Sequence, residues 1–92
     1  MRKPPNDDGT IQVLLDRLNK ERLPRTLALK AKVDKGQTLD DYDIQYLKSV
    51  LEDGRAALTL ANKRPELNTL VTRLIDLYAE ITRIGLENEQ KT

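Results

Sequence analysis

The chain has 92 residues, neither cysteine nor histidine, and 16 basic against 15 acidic side chains, for a net charge of +1. The length suits one domain. The lack of cysteine excludes disulfides and thiolate chemistry, and the lack of histidine removes the commonest general base and transition-metal ligand. No apolar run approaches the roughly 18–20 residues of a membrane span, and no apolar export leader is visible. We therefore expect a cytoplasmic, non-catalytic protein without a cofactor, a metal ion, a small-molecule ligand or membrane association.

Both ends of the chain are polar and lack a helical repeat. Residues 1–9 (MRKPPNDDG) predict a disordered lead-in, and residues 87–92 (ENEQKT) predict a frayed tail. A single helical domain is expected over residues 10–86. Hydrophobic residues make up 38% of the chain and the aromatics are three tyrosines, so the core is expected to consist of aliphatic side chains.

The first helical pattern begins after Thr10, a plausible N-cap. Apolar residues recur at i, i+3, i+4 and i+7 from Ile11. Pro24 then interrupts the pattern, because proline lacks an N–H and clashes with the carbonyl four residues back. Two separate helices, at about 11–22 and 24–35, are favoured over one helix that is only kinked at the proline.

The second helix would turn Leu27 and Ala31 toward the core. Gly36 is expected to end it, because glycine reaches the left-handed conformation at little cost.

A helical hairpin, 38–63/65–86, is the strongest structural prediction. Thr38 and Asp41 resemble a capping box at its start, and Pro65 suits the first turn of its second helix. Each helix carries an apolar stripe in steps of three and four: Ile44, Leu47, Leu51, Gly54, Leu58 and Ala61, against Leu67, Leu70, Leu74, Leu77, Ile81 and Ile84. Folding at the turn sets Gly54 opposite Leu74.

The expected fold is therefore a small all-α antiparallel bundle, with four helices, or three if Pro24 only kinks the first. The last helix has a wide apolar arc that one neighbour cannot cover. A partner surface is expected on this arc and on the second helix, at Leu29, Val33, Val71, Ile75 and Tyr78.

A basic stripe on the second helix offers a different interpretation. Its members are Arg22, Arg25, Lys32 and Lys35. Such a row could lie along phosphates, but no aromatic side chain is interleaved with it for base stacking.

Two further patterns are explained without chemistry. The acidic residues between 34 and 43 lack the glycine and glutamate positions of a calcium loop, and they suit helix capping instead. Tyr42 and Tyr46 lie at helical spacing, but no histidine is present to activate a hydroxyl.

The sequence thus predicts a non-catalytic protein-interaction module, either a homo-oligomer or an adaptor. The alternative is a nucleic-acid-associated regulator that uses the basic stripe, and we regard nucleic acid as the less favoured partner.

Overall fold

The computed structural model describes residues 7–91, and over this range its regular structure is entirely helical. In chain order the elements are α1 (Asp7–Arg17), a π-helix (Leu18–Arg22), α2 (Leu23–Asp34), α3 (Asp41–Ala61) and α4 (Pro65–Lys91). The first three are continuous, and we call them the first arm. The all-α bundle is confirmed, in its three-helix form; the favoured separation into four helices is wrong. Within the described residues, no helix is both long and apolar enough to cross a membrane.

The π-helix explains how the chain passes Pro24 without breaking. The N–H of Leu23 bonds to the carbonyl of Leu18, five residues back, in place of the usual four. Both leucines are buried, although five residues of ordinary α-helix would set them about 140° apart. The wider turn therefore accommodates the proline and brings the apolar faces before and after it to the same side.

This rotation overturns the predicted inner face of α2. Leu27 is 38% exposed and Ala31 is exposed. Leu29 and Val33 are buried in their place. The prediction turned Leu27 and Ala31 inward after a break at Pro24, whereas the structure continues the helix through a single π turn that sets a different phase for α2.

The connection after α2 follows the expected glycine C-cap. Gly36 has a φ of 90°. Its N–H bonds to the carbonyl of Val33 at 3.0 Å, and the N–H of Gln37 bonds to the carbonyl of Lys32 at 3.3 Å. These are the two bonds of a Schellman motif.

The start of α3 lies later than predicted. Asp40, not Thr38, is the N-cap, and its carboxylate accepts the N–H of Asp43 at 2.8 Å. The Asp43 carboxylate in turn accepts the N–H of Asp40 at 3.1 Å. Aspartate at both positions completes the reciprocal capping box.

The hairpin itself forms as expected, but α3 is rotated about its axis. Val50 and Ala57 lie in the core, whereas Ile44 and Leu58 of the predicted stripe are 41% and 45% exposed. A Cβ on Gly54 would meet Ile75 and Val71 rather than Leu74, the nearest atom at 3.7 Å. The first arm packs on one side of the hairpin and selects this rotation.

The two ends also differ from expectation. Residues 7–9 belong to α1, while residues 1–6 of the predicted lead-in lie outside the described residues. The predicted frayed tail is helical through Lys91. Asn88, only 6% exposed, donates to the carbonyls of Val33 at 2.9 Å and Gln37 at 2.8 Å. These bonds to the end of α2 hold the tail in place.

The core consists of two adjoining clusters of buried aliphatic side chains. One lies between α1, the π-helix and the turn end of the hairpin: Ile11, Leu18, Leu23, Val50, Ala57, Leu67, Val71 and Leu74. The other lies under α2: Leu29, Val33, Leu47 and Ile81.

Candidate interaction surface

Arg22, the first residue of the predicted basic stripe, points at α3. Its Nε lies 2.9 Å from Oδ2 of Asp53, and both side chains are 26% exposed. Its backbone carbonyl accepts the hydroxyls of Thr26 at 2.7 Å and Tyr46 at 3.3 Å. Partial burial works to lower the pKa of Arg22, but the nearby Tyr46 hydroxyl and the charge of Asp53 raise it above its ordinary value. This arginine joins the first arm to α3.

Arg25 makes a second link to the same helix. Its guanidinium carbon lies 4.4 Å from the centroid of the Tyr46 ring, and that of Arg22 lies 5.4 Å from it. A guanidinium at such distances is attracted by the negative face of the ring. The ring of Tyr46 therefore contacts the guanidinium groups of two arginines. Tyr42, one turn earlier, is 81% exposed.

Lys32 binds the capping box at the start of α3. Its ammonium donates to Asp43 and lies 3.8 Å from Asp40. Partial burial works to raise the pKa of Asp43, but the bonds from Lys32 and from the Asp40 N–H lower it. The bond to Asp43 raises the pKa of Lys32. Of the predicted stripe, Arg25 and Lys35 are exposed and have no described ion pair, and of these two only Arg25 has a described ring contact.

Three of the four stripe residues therefore form a polar seam between the first arm and α3. We use "polar seam" for these contacts of Arg22, Arg25 and Lys32 with α3. Two of the four charges that phosphates would need, those of Arg22 and Lys32, are paired with carboxylates of α3. The prediction put these residues on the outward side because it turned Leu27 and Ala31 inward, and the π turn rotates both sets.

The predicted partner surface is corrected as well. Val71 is fully buried, Val33 is 1% exposed and Leu29 is 7% exposed. Ile75 and Tyr78 are half-buried. The first three belong to the core because the first arm covers most of the arc on α4.

A different apolar surface lies on the side of the hairpin away from the first arm. Leu51 is two positions from Asp53 of the polar seam and so lies about 200° around α3 from it. On α4, Leu77 packs toward the first arm. Ala79 is two positions further along and so lies about 200° around the helix from it. We call this surface the outer face; it comprises Ile44, Leu51, Leu58, Ile75, Ala79 and Leu86.

The outer face is apolar along both helices. Ile44, Leu58 and Leu86 are 41%, 45% and 57% exposed. The hydroxyl of Thr82, beside them on α4, donates to the Tyr78 carbonyl at 2.9 Å. Because this hydroxyl is bonded within its own helix, the methyl group of Thr82 extends the apolar surface. The seven-residue spacing of Ile44, Leu51 and Leu58 is visible in the sequence. The sequence analysis placed these three residues in the stripe that was expected to form the hairpin core.

Sequence reasoning missed a groove of about 680 Å³ between α1 and the first turns of α4. Its lining residues are Gln12, Leu15, Asp16, Asn19, Leu23, Arg64, Pro65, Glu66, Thr69, Leu70 and Arg73. Arg64 pairs across its rim with Glu66 at 2.9 Å, and this pairing lowers the pKa of Glu66. The lining has a hydroxyl at Thr69, but no histidine to act on it as a base. No sequence signal marks this groove, because it depends on the angle between two helices distant in the chain.

Among the described side chains, residues 9–91, no three acidic groups lie close enough together to hold a metal ion. No family model matches this chain, and comparisons with curated proteins and with solved structures likewise find no match.

Proposed function

We propose that this chain is a non-catalytic helical module that binds another protein through its outer face. One observation carries the proposal. Ile44 and Leu58, two members of a row at seven-residue spacing, stay more than two-fifths exposed, while Leu47, Val50 and Ala57 of the same helix are buried.

Scattered exposed apolar residues are ordinary on a soluble protein. An apolar row along one side of two adjacent helices is different, because a helix or helical pair laid against it removes all its members from water together. Each Å² of apolar surface so removed favours association by about 25 cal/mol before the entropy of association is subtracted.

The nucleic-acid alternative has less support. Arg22 and Lys32, two of its four basic residues, are paired with carboxylates of α3. Phosphates would have to displace those carboxylates. The cytoplasm remains our proposed location, which the cysteine-free composition fits, and fractionation of cells that express the chain would test it.

The test is affinity capture from a lysate of the source organism with three matched forms of the chain. These are the native chain, an outer-face variant (Ile44→Gln with Leu58→Gln) and a control variant (Val13→Gln with Leu27→Gln) that changes exposed apolar residues on the first arm. Circular dichroism should first show that all three are equally helical.

We expect a protein captured by the native and control chains and lost from the outer-face variant. Equal capture by the outer-face variant would contradict the proposal. Capture that disappears with nuclease would favour the nucleic-acid alternative.

A further inference from the structure

We infer that the outer face binds a second copy of this chain, with α3 of each copy against α4 of the other and the two-fold axis parallel to the helices. This inference rests on the proposed function and names the partner of that surface. It is carried by the charged residues that border the face.

Each helix carries a row of charges along the outer rim of the face. On α3 the row is Asp41, Lys48 and Arg55, and on α4 it is Asp76 and Arg83, both at seven-residue spacing. All five side chains belong to exposed residues. Within the described part of the chain, Lys48, Arg55 and Asp76 make no ion pair. Rim charges of this kind select partner and orientation in helical bundles.

The contact at Gly54 fixes the positions of the two rows relative to each other along the helix axes. We call this position along the axes the height. Gly54 lies against Val71 and Ile75, so it is level with the residue midway between them, Arg73. Because the helices are antiparallel, Lys48 is level with Ala79 and Arg55 is level with Thr72.

A two-fold axis parallel to the helices preserves these heights and sets each α3 opposite the α4 of the second copy. Asp76 of the second copy then lies midway in height between Lys48 and Arg55. Asp41 is level with Leu86 of the second copy, three residues or about 4.5 Å along the helix from its Arg83. Among the described residues, Arg83 pairs with Glu87 at 3.1 Å, an exposed interaction that contributes little. The two closest rim contacts, about 4.5 Å apart in height, join opposite charges: Lys48 with Asp76, and Asp41 with Arg83. At about 6 Å in height, Arg55 is attracted to Asp76 and Lys48 is repelled by Arg83, so three of the four contacts are attractive.

The other symmetric arrangement puts the axis across the helices. With the axis through Leu51, the middle of the apolar row, α3 would face α3 and Lys48 of one copy would lie beside Arg55 of the other. Two such like-charged contacts oppose association. The rim charges therefore favour the parallel axis over this crossed one, and the parallel axis gives a four-helix core of α3 and α4 from both copies.

The experiment is sedimentation velocity of the full chain over a concentration series, with charge-reversal variants. We expect a concentration-dependent dimer that Lys48→Glu and Asp76→Lys each weaken by about tenfold or more in Kd, because each creates a like-charged rim contact. The double variant should recover most of the lost affinity. Lys20→Glu, an exposed reversal on the first arm, should leave the Kd unchanged and serves as the control.

A native chain that stays monomeric at hundreds of micromolar overturns the inference, and the captured partner of the proposed function can still stand. A dimer that is lost in the Ile44→Gln, Leu58→Gln variant but is indifferent to both charge reversals overturns the parallel arrangement. Loss in the single reversals with recovery in the double variant supports it.

Discussion

The two sides of the α3–α4 hairpin are built differently. The side under the first arm combines a buried aliphatic core with directional polar contacts: Arg22 to Asp53, Lys32 to Asp43, and Asn88 to the end of α2. The outer face has apolar side chains and no such contacts to another element. Polar groups satisfied by specific partners hold one arrangement, because any other leaves them unpaired. An apolar face imposes no such geometry, so the molecule has one fixed side and one side open to association.

The largest expected effect is a difference in stability between variants of a buried core leucine and of a leucine on the outer face. Leu74 is fully buried, so Leu74→Ala should lower the free energy of unfolding by about 2–5 kcal/mol. Leu58→Ala removes the same atoms from a 45% exposed site and should lower it by less than about 1 kcal/mol. Urea denaturation at the lowest workable concentration, where self-association is weakest, measures both. Equal losses would mean that Leu58 is a core residue of the single chain.

Next in size is the polar contact at the end of α4. Asn88→Ala removes two hydrogen bonds, to the carbonyls of Val33 and Gln37, and it should destabilise the fold by about 1–3 kcal/mol. Gln90→Ala, an exposed change in the same turn, should stay within about 0.5 kcal/mol of the native chain. An Asn88→Ala variant as stable as the control would show that the last turns of α4 are not held on the first arm.

Alanine substitutions at the two glycines within helices, Gly54 and Gly85, are expected to change the free energy of unfolding in opposite directions. A Cβ on Gly54, at the contact between α3 and α4, meets its nearest atom at an ordinary 3.7 Å. Gly54→Ala should therefore stabilise the fold by about 0.4–1 kcal/mol through helix propensity and reduced unfolded-state entropy. A Cβ on Gly85, under the first arm, meets Leu39 at 2.9 and 3.0 Å, so Gly85→Ala should destabilise it by overpacking. Thermal unfolding of both variants gives the signs, and a shift in the same direction for both would be contrary to this packing.

The smallest effect is the pH dependence of the polar seam. The pKa of Asp43 is lowered in the folded chain, so its contribution is complete above the unfolded value of about 3.9 and is lost as the pH falls through the folded value. The pKa of Lys32 is raised, so its contribution is complete below the unfolded value of about 10.4 and is lost as the pH rises through the folded value.

Asp43→Asn should therefore destabilise the chain at pH 7 and flatten the acid side of its stability profile. Asp41→Asn, two residues away and exposed, is the control, and chemical denaturation from pH 2 to pH 7 is the measurement. Identical acid profiles for the native chain and Asp43→Asn would rule out this contribution.

The sequence predicted the elements of the fold well because their causes are local. Gly36 as a C-cap and Pro65 as the first residue of α4 depend on backbone geometry at single positions. The 3-4 spacing of leucines and isoleucines predicted the hairpin arms. The start of α3 was misplaced by a few residues because two overlapping capping boxes were available, and the structure uses the one whose Asp43 also binds Lys32.

The candidate site was predicted poorly because each of its features depends on helix rotation. Arg22 and Lys32 were read as an outward stripe from α-helical phase, and the π turn directs them to α3. Ile44 and Leu58 were assigned to the core because a 3-4 stripe identifies an apolar side without giving the direction in which a neighbour lies.

By itself, then, the sequence determined the helical class, the hairpin and its turn, since these follow from periodicity, capping and proline or glycine at defined positions. Tertiary structure alone decided that the first arm stays continuous through Pro24, that the tail to Lys91 is held by Asn88, and which apolar row remains exposed. The physical reason is that Ile44 and Val50 are equally suited to burial as isolated side chains. Only the position of the first arm, fixed by contacts between residues tens of positions apart, determines which of them it covers.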